Sequence, residues 1–238
     1  MASLKDKRVV VLGGSSGIGL GVANAAGRDG AHVVIASSRK ARVDEALTQL
    51  PKSAEGHTLD LAQPSAIEAF FGKLGKFDHL VYTAGDALRI GNLASLNIED
   101  AQKHFTVRYW GSYAAAKFGS PNIREGGSIT FTSGTAGRRP RAGWALGAST
   151  CSAVEGLTRA LAVELAPIRV NLVCPGAVST PLWDSMGNRD AFVELIAKTL
   201  PVQHVADADE VASAYTYLMT QTFSTGEIIV VDGGGVLV

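Results

Sequence analysis

The run Leu12-Gly13-Gly14-Ser15-Ser16-Gly17-Ile18-Gly19 constrains this chain more than any other stretch of it. It follows Arg8 to Leu12, an apolar run rich in valine that reads as a strand covered on both faces. It precedes an amphipathic stretch from Ile18 to Arg28 that reads as a helix. Three glycines at GxxxGxG spacing have distinct work in such a strand-to-helix turn. Gly13 permits the tight bend, Gly17 lets the backbone approach a pyrophosphate, and Gly19 lets helix and strand pack closely. The helix start offers free N–H groups and the positive end of its dipole to phosphates. Glycines also cluster in turns that bind nothing. What separates this turn is its place after the first strand of an alternating series. Gly13, Ser15, Ser16, Gly17 and Ile18 are therefore candidate dinucleotide contacts, the two serines through their hydroxyls.

The alternation continues to the end of the chain. Strands are expected at 32–37, in a short segment ending near Leu59, and at 78–83, 127–132, 169–174 and 227–231. Helices are expected at 43–50 (stopped by Pro51), from Pro64 onward, and at about 97–118, 143–166 and 207–220. This order predicts an α/β fold: a Rossmann-type doubly wound parallel sheet of about seven strands, with helices on both faces. Without repeats, low-complexity segments or linkers, residues 1–238 read as one domain carrying its own substrate pocket. Lys and Arg together number 22, as do Asp and Glu, so the basic excess of a nucleic-acid binder is missing. No apolar run reaches bilayer length, and the N-terminus lacks a secretory pattern. Cys151 and Cys174 make no disulfide framework, so a reducing cytoplasm is the expected location. His57, His79, His104 and His204 show no metal-ligand spacing, and no metal site is expected.

The end of the second predicted strand bears on the cofactor. A domain preferring NAD(H) places an acid there against the ribose 2′-hydroxyl. The residues here are Ser37-Ser38-Arg39-Lys40, with no acid and two cations. Arg39 can grip a 2′-phosphate in bidentate fashion, with Ser38 beside it, so NADP(H) is favoured over NAD(H). The alternative is that both cations merely begin a solvated helix. Asp60, after the third strand, can accept from an adenine amino group; as an exposed turn residue it would be unremarkable.

With these residues in hand, nearly the whole chain resembles the short-chain dehydrogenase/reductase family. The glycine turn is similar, with Leu12 where that family carries Thr. Asp60-Leu61 resembles its adenine-binding step, and Tyr82-Thr83-Ala84-Gly85 its Asn-Asn-Ala-Gly turn with both Asn lost. Cys174-Pro175-Gly176-Ala177-Val178-Ser179-Thr180 resembles the segment that holds the nicotinamide amide. Gly226 and Val231-Asp232-Gly233-Gly234 resemble the C-terminal strand and turn. The resemblance thus adds Leu61, Ala84, Gly85, Pro175, Gly176, Val178 and Thr180 as cofactor contacts. It also implies a small-molecule substrate and a homo-oligomer, dimer or tetramer.

The family's catalytic set is Asn, Ser, Tyr and Lys. Aligning Ala153-Val154-Glu155-Gly156-Leu157 puts Gly147 at the Tyr position and Cys151 at the Lys position. Arg108 stands at the Asn position, and Ser133 or its neighbour Gly134 at the Ser position. Hydride addition to a ketone leaves an alkoxide, which needs an acid or an oxyanion hole. Addition to an iminium ion leaves a neutral amine and needs no proton donor. The expectation is an NADP(H)-dependent oxidoreductase with a non-standard catalytic set, reducing an imine, an iminium or an activated carbonyl. A cyclase or isomerase on the same scaffold, or an inactive NADP(H)-binding protein, is the alternative. Members of the family in fungal alkaloid pathways are similar in their degenerate catalytic sets, with iminium reduction or assisted cycloaddition on one scaffold.

Three residues are the catalytic candidates. Arg108 stays protonated, which suits an anchor for an anionic or carbonyl oxygen better than a general acid. Ser133 ends the fifth strand at the carboxyl edge, where open α/β sheets bind ligands; a capping hydroxyl is the plain alternative. Trp144 lies near the missing Tyr and would fill its space, stack on substrate or simply pack. Leu182, Trp183 and Met186 follow Pro181 in the family's lid segment and would line an apolar pocket. Tyr109 and Trp110 read as packing. Cys151 is a nucleophile candidate without an assigned base.

Overall fold

A computed structural model describes residues 3–86, 90–181, 183 and 189–238, with only the backbone of Phe192. Leu182 and Met186 lie outside the described residues. Seven strands form one sheet in the order β3-β2-β1-β4-β5-β6-β7, each pair parallel. They are β1 (Arg8–Leu12), β2 (His32–Ser37), β3 (Glu55–Thr58), β4 (Phe77–Tyr82), β5 (Ile123–Thr132), β6 (Arg169–Pro175) and β7 (Ile228–Val231). The sheet reverses direction of growth between β1 and β4, and the crevice outside that switch point is where such sheets bind ligands.

Side chains alternate across β1. Val10 and Leu12 enter one apolar cluster, and Val9 and Val11 enter the other. Because both faces are covered, all four are fully buried, which explains the uninterrupted apolar run. The first cluster is roofed by α3 (Pro64–Leu74), α5 (Ser112–Gly119) and α6 (Ala145–Glu164), through Ile67, Phe71, Ala115 and Val154. The second is roofed by α1 (Gly17–Arg28), α2 (Lys40–Leu47) and α8 (Ala208–Thr220), through Val22, Val43, Val211 and Tyr215. Local signals fix several starts. Pro64 opens α3, and a reciprocal capping box between Asp207 and Glu210 opens α8.

Three expectations need correction. Helix α2 begins and ends three residues earlier than expected, and Thr48 to Leu50 turn before Pro51 rather than continuing the helix. Strand β5 starts at Ile123, because a register shift opposite Phe77 and His79 absorbs Gly126-Gly127 into the strand. The helix expected over 97–118 is three pieces: α4 (Ile98–Phe105), a π-turn (Thr106–Gly111) and α5. Helix α7 (Arg189–Thr199) has no counterpart in the sequence reading, since it carries no strong start signal.

Candidate functional site

The glycine turn is built as its residue types require. Gly13 has φ +89, and a Cβ there would fall 2.6 Å from the Ala84 backbone nitrogen. A Cβ on Gly19 would meet the Gly13 carbonyl and sit 2.5 Å from Thr83 Oγ1, so helix and strand could not close. Gly17 has φ +52 and faces the Thr180 side chain at 3.2 Å. Ser16 precedes α1 in extended conformation without capping its own helix, and the first turn of α1 holds no acid. The N–H groups and hydroxyls are thus open to an anion. Ser15 and Thr180 are buried and Ile18 half-buried around the same turn.

Two further segments complete this edge. Ser38 and Arg39 follow β2 and are exposed. Lys40 is occupied by Asp44, Nζ to Oδ2 at 2.7 Å, whereas Arg39 makes no ion pair among the described residues. Asp60 is exposed, with Oδ1 accepting from the Ala62 N–H at 2.9 Å and Oδ2 open, and Leu61 is buried beneath it. On the far side, Gly176 allows the Asp232 backbone within 2.7 Å of its Cβ position. The Gly176 N–H donates to Val231 O, and Val178 bridges to Ala206. Pro175 and Val178 are buried.

Between these halves lies a small cavity of about 20 Å³. It is lined by Thr83 and Ala84 after β4, Thr132 and Ser133 at the end of β5, Arg108, and Thr150, Cys151 and Val154 of α6. Arg108 reaches it from the π-turn. Its Nη2 donates to Asp86 O at 2.5 Å, and its Cζ lies 2.6 Å from where a Gly85 Cβ would be, so a side chain at position 85 would displace the guanidinium. Its Nε is buried with no hydrogen-bond partner among the described residues, and the buried Ser133 Oγ has the Cys174 thiol as a weak neighbour. Burial pushes the Arg108 guanidinium below its ordinary pKa, with Cys151 and Asp86 acting weakly against this. A guanidinium still remains charged at neutral pH.

The cavity lacks a general acid among its described residues. Burial raises the Cys151 thiol to about 11 despite the nearby Arg108, which removes it as a ready nucleophile. Cys174 is likewise raised by burial and is fully enclosed. Tyr82 and Tyr215 are both buried and raised above the ordinary phenol value, mainly by desolvation. Each hydroxyl is occupied, Tyr82 donating to Val107 O at 2.5 Å and Tyr215 bonding Thr132 Oγ1 at 2.7 Å. Glu155 is held by Arg138 at 3.2 Å.

Gly147, which the sequence reading set at the family's Tyr position, lies next to Trp144, whose Cε3 would sit 3.6 Å from a Cβ there. Trp144 is the N-cap residue of α6 and is not among the residues that line the cavity. Trp183 is buried, its N–H donating to Thr180 O at 3.1 Å. Tyr109 and Trp110 belong to an edge-to-face aromatic row with Phe105 and Tyr113. Sequence reasoning missed Thr83, Thr132 and Thr150, whose only signal was position at a strand end or one helix turn from Gly147. It also gave no role to Tyr82, which supports the π-turn.

A family model described as enoyl-(acyl carrier protein) reductase matches residues 13–235. The short-chain dehydrogenase/reductase fsr5 of Gibberella fujikuroi is 34% identical over 257 aligned positions, covering 100% of this chain and 97% of that protein. ATR9 of Stachybotrys chlorohalonatus, of the same description, is 36% identical and covered completely on both sides. Among solved structures, the MalC reductase/Diels-Alderase of Malbranchea aurantiaca superposes with TM-score 0.91 at 32% identity, covering 99% of this chain and 98% of the other. A small-chain dehydrogenase in complex with NADPH superposes with TM-score 0.83, also at 32% identity, covering 98% and 100%. Matched along nearly its whole length in sequence and in all of its sheet, the chain belongs to the short-chain dehydrogenase/reductase family of oxidoreductases.

Proposed function

We propose that the protein is an NADP(H)-dependent oxidoreductase that acts on an imine, an iminium or an activated carbonyl of a small molecule. The cofactor half of this reading rests on the glycine turn and on Arg39. The turn leaves no room for a Cβ at Gly13 or Gly19, and its helix start is free of acids and of self-capping. Arg39 is free to meet a 2′-phosphate, with Ser38 beside it and Asp60 and Leu61 flanking the adenine end. Ala84, Gly85, Pro175, Gly176, Val178 and Thr180 would border the nicotinamide end, where the bound cofactor would supply or accept a hydride. The NADPH-bound neighbour supports the same preference.

The reaction class rests on the sequence alignment that puts Gly147 and Cys151 at the Tyr and Lys positions, and it is supported by a cavity lining that holds neither a tyrosine nor a lysine. Arg108 holds a fixed cation, Ser133 a neutral hydroxyl, and the Cys151 thiol titrates at about 11. Such a set orients an oxygen or nitrogen substituent without delivering a proton. An acceptor that already carries its charge, as an iminium carbon does, needs no more. Trp144 would cover the Gly147 position that the Tyr side chain would otherwise occupy.

A second reading, a cyclase or isomerase on this scaffold, is favoured by one neighbour, which is both a reductase and a Diels-Alderase. One experiment separates the two. The purified protein is titrated with NADPH and NADH, and NADPH loss is then followed over matched ketone, imine and iminium panels. Iminium-dependent oxidation of NADPH is expected. Ketone reduction at the rate of a family member with an intact Tyr and Lys would sink the reading; product formation without NADPH loss would support the cyclase.

A further inference from the structure

Among the described residues the Arg108 guanidinium has no carboxylate in salt-bridge contact, and the Asp86 charge acts on it only through space. Glu155 is held by Arg138 and Arg159, and Asp86, exposed, offers Arg108 its backbone carbonyl. Cys151 is a neutral thiol. Burying a lone cation is costly unless something compensates it. Meanwhile the Arg108 Nε is buried without a hydrogen-bond partner among the described residues, and the Ser133 Oγ on the same cavity wall has only the weak Cys174 thiol as a described neighbour. A charge-bearing donor left unpaired on a cavity suits a visiting acceptor.

The helix is deformed to present this group. The π-turn over Thr106–Gly111 inserts an extra residue per turn and frees carbonyl groups, as such turns do at functional sites. Tyr82 takes up one of them, donating to Val107 O, and Gly111 accommodates the Tyr82 ring because a Cβ there would strike the hydroxyl. Gly85 then lets the guanidinium lie flat against the backbone. Three residues outside the charge itself, Tyr82, Gly85 and Gly111, are shaped around it.

We infer that the Arg108 cavity is an oxyanion subsite, and that the substrate carries a carboxylate or enolate oxygen that enters it. This rests on the reading that the cavity belongs to the reaction site. The enclosed space, about 20 Å³, holds one water-sized group such as a carboxylate oxygen. The substrate is therefore held by a single projecting anionic oxygen, with the reacting carbon outside the cavity. Ser133 donates the second hydrogen bond. Tyr82 is a positioning residue that acts through the π-turn.

Formate is the probe, because one of its oxygens fits the cavity. Binding of [13C]formate is followed by NMR line width, with and without saturating NADP+, on wild type, Arg108→Gln and Tyr82→Phe. Wild type is expected to broaden the formate signal in both states. Arg108→Gln should bind it at least tenfold more weakly while its NADP+ affinity is unchanged. Tyr82→Phe should fall between the two, again without loss of NADP+ binding. Equal formate affinity in wild type and Arg108→Gln, or no broadening by wild type, overturns the subsite. Failure to bind NADP+ with the formate difference intact would instead overturn the cofactor reading alone.

Discussion

The two edges of the sheet hold polar groups on opposite terms. At the amino edge the buried charges meet partners within the fold. Asp78, buried at the start of β4, accepts from the Arg8 N–H at 2.8 Å, Arg124 at 2.9 Å and Lys7 at 3.2 Å. Burial would raise its pKa, and these partners outweigh that and hold it below the usual carboxylate value. His79 bonds Ser128 Oγ through Nδ1 at 2.9 Å, and Arg169 grips the last carbonyls of α8 at Leu218 and Met219. At the carboxyl edge, the Arg108 Nε has no hydrogen-bond partner and Arg39 no ion pair among the described residues.

That contrast can be broken by mutation. Asp78→Asn leaves Arg124 and Lys7 facing a neutral group and the Arg8 N–H with a weaker acceptor. It should cost about 4 kcal/mol of unfolding free energy, measured by denaturant titration, with NADPH affinity unchanged. A change in NADPH affinity would mean that the two edges are not independent.

Acid should act next, through His79. Burial depresses its pKa from 6.5 to about 4, so the folded protein holds it neutral. The unfolded chain begins to bind this proton near pH 6.5. Stability present above that pH is lost progressively as pH falls to about 4, and the loss amounts to roughly 3 kcal/mol. A His79→Asn variant should lack this part of the loss when both are unfolded at each pH; parallel curves would rule out the assignment.

At the carboxyl edge, Arg39→Asp should weaken NADPH by about thirtyfold, near 2 kcal/mol, and NADH by much less. Equal effects on both would remove Arg39 from the 2′-phosphate. The smallest effect has the opposite sign. Arg108→Gln removes an unanswered buried charge and should raise stability by about 1 kcal/mol while lowering turnover. A stability loss instead would show that Arg108 holds the fold as Asp78 does.

Much of this was legible beforehand because it is carried by backbone. The bounds of β1 and β2 fall where the apolar runs fall, since buried parallel strands tolerate little else. The positive φ of Gly13 and Gly17 follows from turn geometry that other residues resist. The start of α3 at Pro64 is equally local. The π-turn was not legible, because Thr106 to Gly111 continue a helical pattern and the extra residue is favoured only by distant partners, Tyr82 and Gly85. Helix α7 and the start of β5 escaped for the same reason: packing, not propensity, sets them.

By itself, then, the sequence determined the glycine turn and the parallel sheet around it, and it motivates the proposal that the Tyr and Lys are lost, since each of these is a local feature. The tertiary structure alone decided what stands in their place. It brought Arg108 from one helix, Ser133 from a strand end and Cys151 from another helix around one small cavity, and it left the cation unanswered. The physical reason is that charge and hydrogen-bond satisfaction depend on neighbours far apart in the chain. No pattern along the sequence records them.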